Sequence, residues 1–181
     1  MSEHMASGEK ATSALWDKHL ESEFAQKSPD AALKTMTDNP RVTIVPTMLG
    51  GSGAAELRNF YARHFLNQLP PDLEVIPVSR TVAQSRVIDE LVIKFTHTIQ
   101  MDWLLPGIPP TGKRIEFAFV VIVFMEGDRI AAEHLYYDVA TILKQAGLIT
   151  DPKLPILGAE HARNMLSHTA PLNELIRATE R

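Results

Sequence analysis

The hydrophobic pattern changes period near the middle of the chain, and two kinds of element follow from it. Up to Pro70-Pro71 apolar residues recur at helical spacing; beyond it they alternate in twos. Ala14, Leu15, Leu20 and Phe24 predict an amphipathic helix from Lys10 to Gln26. Ser28-Pro29-Asp30 breaks it, with Asp30 as the cap of a short helix from Ala31 to Met36. Asp38-Asn39-Pro40 reads as a turn, Val42 to Val45 as a short strand stopped by Pro46, and Gly50-Gly51-Ser52-Gly53 as a flexible loop. Ser52 is placed to cap a helix from Ala54 to Leu69, whose Leu57, Phe60, Tyr61, His64 and Phe65 share one face; Pro70-Pro71 ends it.

Beyond that point Leu73 to Ala83 and Arg86 to Trp103 read as strands joined at Gln84-Ser85. In the second, Leu91, Ile93, Phe95, His97, Ile99 and Met101 face one way, and Lys94, Thr96, Thr98, Gln100 and Asp102 the other. Leu105 to Gly112 is a Pro/Gly-rich loop. Ile115 to Met125 is apolar on both faces, as suits a central strand. Glu126-Gly127-Asp128 turns the chain into a last strand, Ile130 to Asp138, followed by a helix from Val139 to Gln145 that stops at Gly147. Helices first and strands afterwards predict an α+β domain, with helices on one face of a bent, mainly antiparallel sheet and a pocket between. Residues 1–9 read as a flexible terminus, 10–147 as the domain and 148–181 as an extension. That extension carries a helix from Ala159 to Leu166. Leu154, Ile156, Leu157, Met165 and Leu166 make it too apolar for a free linker, so it is expected to pack on the domain.

Composition narrows the function. The chain has 181 residues, enough for one domain with a sizeable core, and a net charge of −4 without any basic tract, so nucleic acid is not an expected partner. It has no cysteine, which excludes disulfides, thiol nucleophiles and cysteine zinc sites. No apolar run is long enough for a membrane span and the N-terminus lacks a signal-peptide core, so the expected location is cytoplasmic. The glycine-rich stretch is not a phosphate loop, and no G-x-S-x-G elbow supports a serine hydrolase. His64, His97, His134, Asp102 and Glu133 have no metal-type spacing, so no metal or other cofactor is expected.

Polar residues gather at the end of the last strand. His134, Tyr136 and Asp138 alternate on one side; Glu133, Leu135 and Tyr137 lie on the other, and a β-bulge would mix the sets. Asp138 is also well placed to cap the helix that starts at Val139. His97 interrupts an apolar strand face, which is costly unless its imidazole has a partner or a ligand.

The run HTIQMDWLLPGIPPTGKRIEF, the hairpin FMEGDRI, the segment EHLYYD and the closing ILKQAGL resemble the SnoaL-like branch of the nuclear transport factor 2-like superfamily, over roughly Ala11 to Gly147. The resemblance implies a cone: a strongly bent sheet wrapped around helices, with a mostly apolar pocket and, usually, a homodimer. It implies a cofactor-independent cyclase, isomerase or dehydratase acting on a small apolar carbonyl compound. By the resemblance Asp138 would be the general base; His97, from its place on the apolar strand face, is the other candidate to abstract the proton, with His134 beside them. Asp102, Trp103, Glu133, Tyr136, Tyr137 and His64 would contact the ligand. From Glu133-His134 to Asp138 the chain is one residue shorter than the commoner family spacing, which leaves open which set faces the pocket. The alternatives are a non-catalytic dimeric binding module and, from names used in one subgroup, a lactone or ester hydrolase.

Overall fold

The computed structural model describes residues 7–179; six residues of the expected flexible terminus, and 180–181 of the extension, lie outside that range. Ser7 to Glu9 belong to the first helix, α1 (Ser7–Leu20), which continues as a wider π-type turn over Glu21–Ala25. The second helix, α2 (Pro29–Leu33), starts earlier than Asp30 would set it. The Ser28 hydroxyl caps it, accepting from Ala31 N–H at 3.2 Å, and Pro29 takes the first helical position, where its missing N–H costs nothing. Helix α3 (Ala54–Phe60) runs on through a π-type turn (Tyr61–Phe65) and a 3-10 turn (Leu66–Gln68) to the paired prolines. Its cap is Gly53, whereas the Ser52 N–H is held by the Glu56 carboxylate at 3.1 Å.

Six strands form one sheet in the order β2-β1-β6-β5-β4-β3. These are β1 (Met36–Ile44), β2 (Leu49–Ser52), β3 (Glu74–Ala83), β4 (Arg86–Thr96), β5 (Arg114–Glu126) and β6 (Arg129–Tyr137). Only β1 and β6 run parallel; the other neighbours are antiparallel. Two sequence expectations give way here. The segment from Asp38 to Pro40 is not a free turn but an irregular part of β1, where pairing with β6 shifts between Met36 and Arg41. The glycine-rich stretch is strand β2, because a chain without Cβ atoms can lie against helix α3: a Cβ on Gly51 would sit 2.7 Å from Leu57 N. Strand β4 also ends earlier than the alternation suggests. The Asp72 carboxylate takes the Thr96 N–H and hydroxyl, and the chain beyond His97 leaves the sheet.

The core lies between the concave face of the sheet and helices α1 and α3. Phe95 and Phe117 are fully buried there in edge-to-face contact, each contributing about 1.5–3 kcal/mol on burial. The inward rows are Leu91, Ile93 and Phe95 on β4 and Ile115, Phe117, Phe119, Val121 and Val123 on β5. On β6 the inward row is Glu133, Leu135 and Tyr137, paired with Val123, Val121 and Phe119. That choice is made by a bulge. Met125 pairs with Ile130 but Phe124 pairs with Ala132, so Ala131 is an extra residue, and everything beyond it has changed face.

The outer face carries the C-terminal helices α4 (Val139–Gln145) and α5 (Glu160–Ser167); α6 (Glu174–Thr179) follows. Gln145 bonds both backbone groups of Glu116, at 2.9 Å each. Arg163 of α5 grips the Glu116 carboxylate at 2.6 and 3.1 Å, and His161 accepts from Ala118 N–H at 3.3 Å. None of the helices among the described residues is long and apolar enough to cross a membrane.

Candidate active site

Between helix α1, the end of α3 and the concave sheet lies a cavity of about 980 Å³. Its walls are mainly apolar, with Leu20, Phe24, Phe65 and Leu69 from the helices and Leu91 and Phe119 among those from the sheet. Besides Glu21, Lys27 and Ser79, two polar clusters interrupt this lining. Glu23 and Glu133 form one, and Asp89 and Arg80 the other.

The first group is built on His19, which is fully buried. Its Nδ1 is 2.6 Å from Thr35 Oγ1, and the Thr35 hydroxyl donates to Ala32 O at 2.6 Å. With that proton committed, Thr35 accepts from Nδ1–H, which fixes the ring orientation. The other ring nitrogen, Nε2, faces two carboxylates: Glu23 Oε1 at 3.2 Å and Glu133 Oε1 at 3.1 Å. The ring hydrogen-bonds Glu23, whereas Glu133 Oε1 is close but makes no hydrogen bond of good geometry. The Tyr61 hydroxyl is likewise buried without a hydrogen-bond partner. Burial alone would strip the proton from His19, but the charges of Glu23 and Glu133 outweigh it and hold its pKa at about 10. Burial pushes the Glu133 carboxyl above the usual range, against the pull of His19. Burial, then the neighbouring carboxylates, pushes Tyr61 up as well.

Trp16 links the two groups. Its ring stacks on His19 with centroids 5.4 Å apart, and its Nε1–H donates to Asp89 Oδ2 at 2.8 Å. Arg80 clamps both Asp89 oxygens, at 2.6 and 2.8 Å, and reaches Asp17 at 2.6 Å. Asp89 is therefore neutralised and fully bonded.

The residues expected at the site divide accordingly. Glu133 and Trp103 line the cavity. Tyr137 faces inward but stacks on Phe119, with its hydroxyl 3.5 Å from Trp103 O. His134 and Tyr136 face outward, paired with Ile122 and Val120, and the His134 ring lies against Phe124 at 4.8 Å. Asp138 caps α4, accepting from Ala140 N–H at 2.9 Å and the Thr141 hydroxyl at 2.8 Å. His97 is buried at the root of the Pro-rich loop. Its Nδ1 accepts from Thr111 N–H at 3.3 Å, its Nε2 has no partner, and burial lowers its pKa. Neither His97 nor Asp138 lines the cavity, so the expected pair lies outside it. Asp102 and His64, 3.4 Å apart, line a separate shallow cleft of about 750 Å³. Hydrogen bonds from Gln68 and Gln100, then His64, hold Asp102 down at about 2.

Sequence reasoning missed His19, Glu23, Asp89 and Arg80. His19 and Glu23 stand four apart, which puts them on one helix face. Asp89 continues the inward row Leu91, Ile93, Phe95 by one step.

A curved sheet folded over helices around a mostly apolar cavity is the ketosteroid isomerase-like, nuclear transport factor 2-like fold of α+β domains. The family model for SnoaL-like polyketide cyclases matches residues 15–146, and the chain belongs to that family. Solved structures of the same fold include a proposed SnoaL-like polyketide cyclase from Jannaschia sp. CCS1, at 15% identity and a TM-score of 0.68, covering 82% of this chain and 100% of that one. A protein with a ketosteroid isomerase-like fold from Catenulispora acidiphila, in complex with trimethylamine, has 15% identity and a TM-score of 0.56, with coverage of 75% and 93%. AclR from Streptomyces galilaeus, a proposed hydroxylase, has 15% identity and a TM-score of 0.60, with coverage of 79% and 89%. Among curated proteins none matches the chain.

Proposed function

We propose that this protein is a cyclase-, isomerase- or dehydratase-type enzyme that moves a proton on a small, mostly apolar carbonyl compound. The observation that carries this reading is Glu133: a carboxyl at the floor of an apolar cavity, with one oxygen unpartnered and its pKa raised by burial. A carboxyl pushed toward working pH passes a proton in either direction. In the step envisaged, Glu133 takes a proton from the carbon beside the carbonyl and the electron pair moves onto the carbonyl oxygen. The His19 imidazolium behind Glu133 keeps positive charge at the floor while the enolate exists. Asp138 and His97 are given no part in it.

The test is deuterium incorporation from D2O into a panel of enolisable cyclic ketones, read by mass spectrometry. Wild type is expected to exchange at least one of them, and Glu133→Gln to lose roughly 10²–10⁴-fold while staying folded. Exchange equal in both proteins would sink the reading. A second reading, a binding module without chemistry, is favoured by one fact: Asp89, the other buried acid of the cavity, is saturated by Arg80 and Trp16. It predicts that ketones bind without exchange. Both readings keep a homodimer built on the outer sheet face, where Val120, Ile122 and Phe124 remain partly accessible beside the half-exposed Tyr136. Light scattering at micromolar protein checks it.

A further inference from the structure

We propose that His19, Glu23 and Glu133 bind one divalent first-row transition-metal ion, for which zinc is the reference. The geometry carries this. The three ligand atoms lie within 4.8 Å of one another, and all three side chains are buried. Two oxygens stand 3.1 and 3.2 Å from Nε2. With bonds of about 2.1 Å to an ion, such separations subtend roughly 95–100°, between octahedral and tetrahedral angles. The histidine is prepared in the way metal-bound histidines are: Nδ1–H is tied to Thr35 Oγ1, whose own proton is committed to Ala32 O, leaving Nε2 to bind.

Two further observations point to a missing partner. Glu133 Oε1 is a buried charged-group oxygen without a hydrogen bond, and it is aimed into the cluster. When His19 gives up its Nε2 proton and both carboxyls ionise, the three groups carry a charge of −2, which a dication cancels. Glu23 and Glu133 also line the cavity, so the ion has an entry path and an open side for a water or a carbonyl oxygen. One histidine with two carboxylates suits Zn²⁺, Fe²⁺ or Mn²⁺ better than Ca²⁺, which takes oxygen ligands only.

The experiment is calorimetric titration of chelator-treated protein with Zn²⁺, and of the same protein with Co²⁺ followed by visible absorption. One ion per chain is expected, with ligand-field bands for Co²⁺. Glu23→Gln and Glu133→Gln, which keep shape, are each expected to weaken binding by more than the roughly 100-fold that loss of even a supporting residue can cost. Thr35→Val is expected to weaken it about 10–100-fold. His134→Asn and His64→Asn, at surface positions, are expected to leave it unchanged. Absence of stoichiometric binding, or binding that Glu23→Gln leaves intact while His64→Asn or His134→Asn removes it, overturns the proposal. The Co²⁺ spectrum is read on wild type, so a variant that fails to fold does not decide the matter. The deuterium test is run on chelator-treated protein, in which Glu133 is a free base, so failure here leaves the proton-transfer reading standing and failure of that test leaves this one standing.

Discussion

Strand β6 delivers two carboxylates to contrasting surroundings. Glu133, inside the strand, is 3% exposed, lies against an imidazole and has an oxygen without a hydrogen bond. Asp138, one residue past the strand, is exposed and both its oxygens accept bonds from the first turn of α4. The histidines divide in parallel. His19 meets only side chains, whereas His97 accepts from the backbone of the Pro-rich loop and holds that loop against the strand end. The lesson is about where polar groups find partners. A polar side chain beside an irregular segment or a helix terminus finds backbone groups to bond, and its presence then needs no ligand. A polar side chain deep on a regular sheet face has no free backbone within reach. Its partners must be other side chains, a proton, an ion or a substrate, and each of those is chemistry.

That contrast is open to attack at several points. The largest effect belongs to Glu133→Gln, with the roughly 10²–10⁴-fold loss of exchange given above and thermal stability close to wild type or higher, since a buried acid becomes a neutral amide. His97→Ala is expected to do the reverse. It removes a buried ring and the acceptor for Thr111 N–H, so denaturant melts should show a loss of about 2–4 kcal/mol, with unchanged exchange per folded molecule. Asp138→Ala should cost about 0.5–2 kcal/mol, the usual loss of a helix cap, and Asp138→Asn far less, because asparagine caps as well as aspartate. If Asp138→Asn instead abolished exchange at full stability, the contrast between the two carboxylates would be reversed. The smallest effect is at Asp102. Its folded pKa, about 2, lies below the unfolded value of about 3.9, so its stabilising contribution is present above the unfolded value and is lost as pH falls through about 2. The melting temperature of wild type minus that of Asp102→Asn should therefore shrink steadily between about pH 4 and pH 2.

Much of the fold could be read from periodicity. The alternation in β4, the doubly apolar β5 and the Glu126-Gly127-Asp128 hairpin gave three adjacent strands their place, and β4 its inward row. Proline and glycine misled at the edge of the sheet. Pro40 lies within β1 and Gly50-Gly51 form β2, because close approach of helix α3 demands glycine there, a requirement set by tertiary packing. The site was half legible. Glu133 was a candidate, but one whose facing depended on a bulge, and no local residue type announces the extra residue at Ala131. His19 and Glu23 stood at helical spacing, yet only the apolar residues of that helix had been used to define its buried face. What joins His19 to Glu133 is a contact between residues 114 apart in sequence, which no short-range pattern encodes.

The extra residue at Ala131 has an evolutionary reading. Pair it regularly with Phe124 instead, and Ala132 moves opposite Val123, Glu133 moves opposite Ile122 on the outer face, and His134 and Tyr136 turn into the cavity. A strand of the same length without the bulge would replace an acidic floor with an imidazole and a phenol, whereas loss of the Ala131 codon would keep Ala132 opposite Phe124 and Glu133 inside. On this scaffold, whether one residue beside a hairpin is bulged or paired is a heritable setting for which chemistry is enclosed, and two relatives with identical EHLYYD segments can enclose different ones.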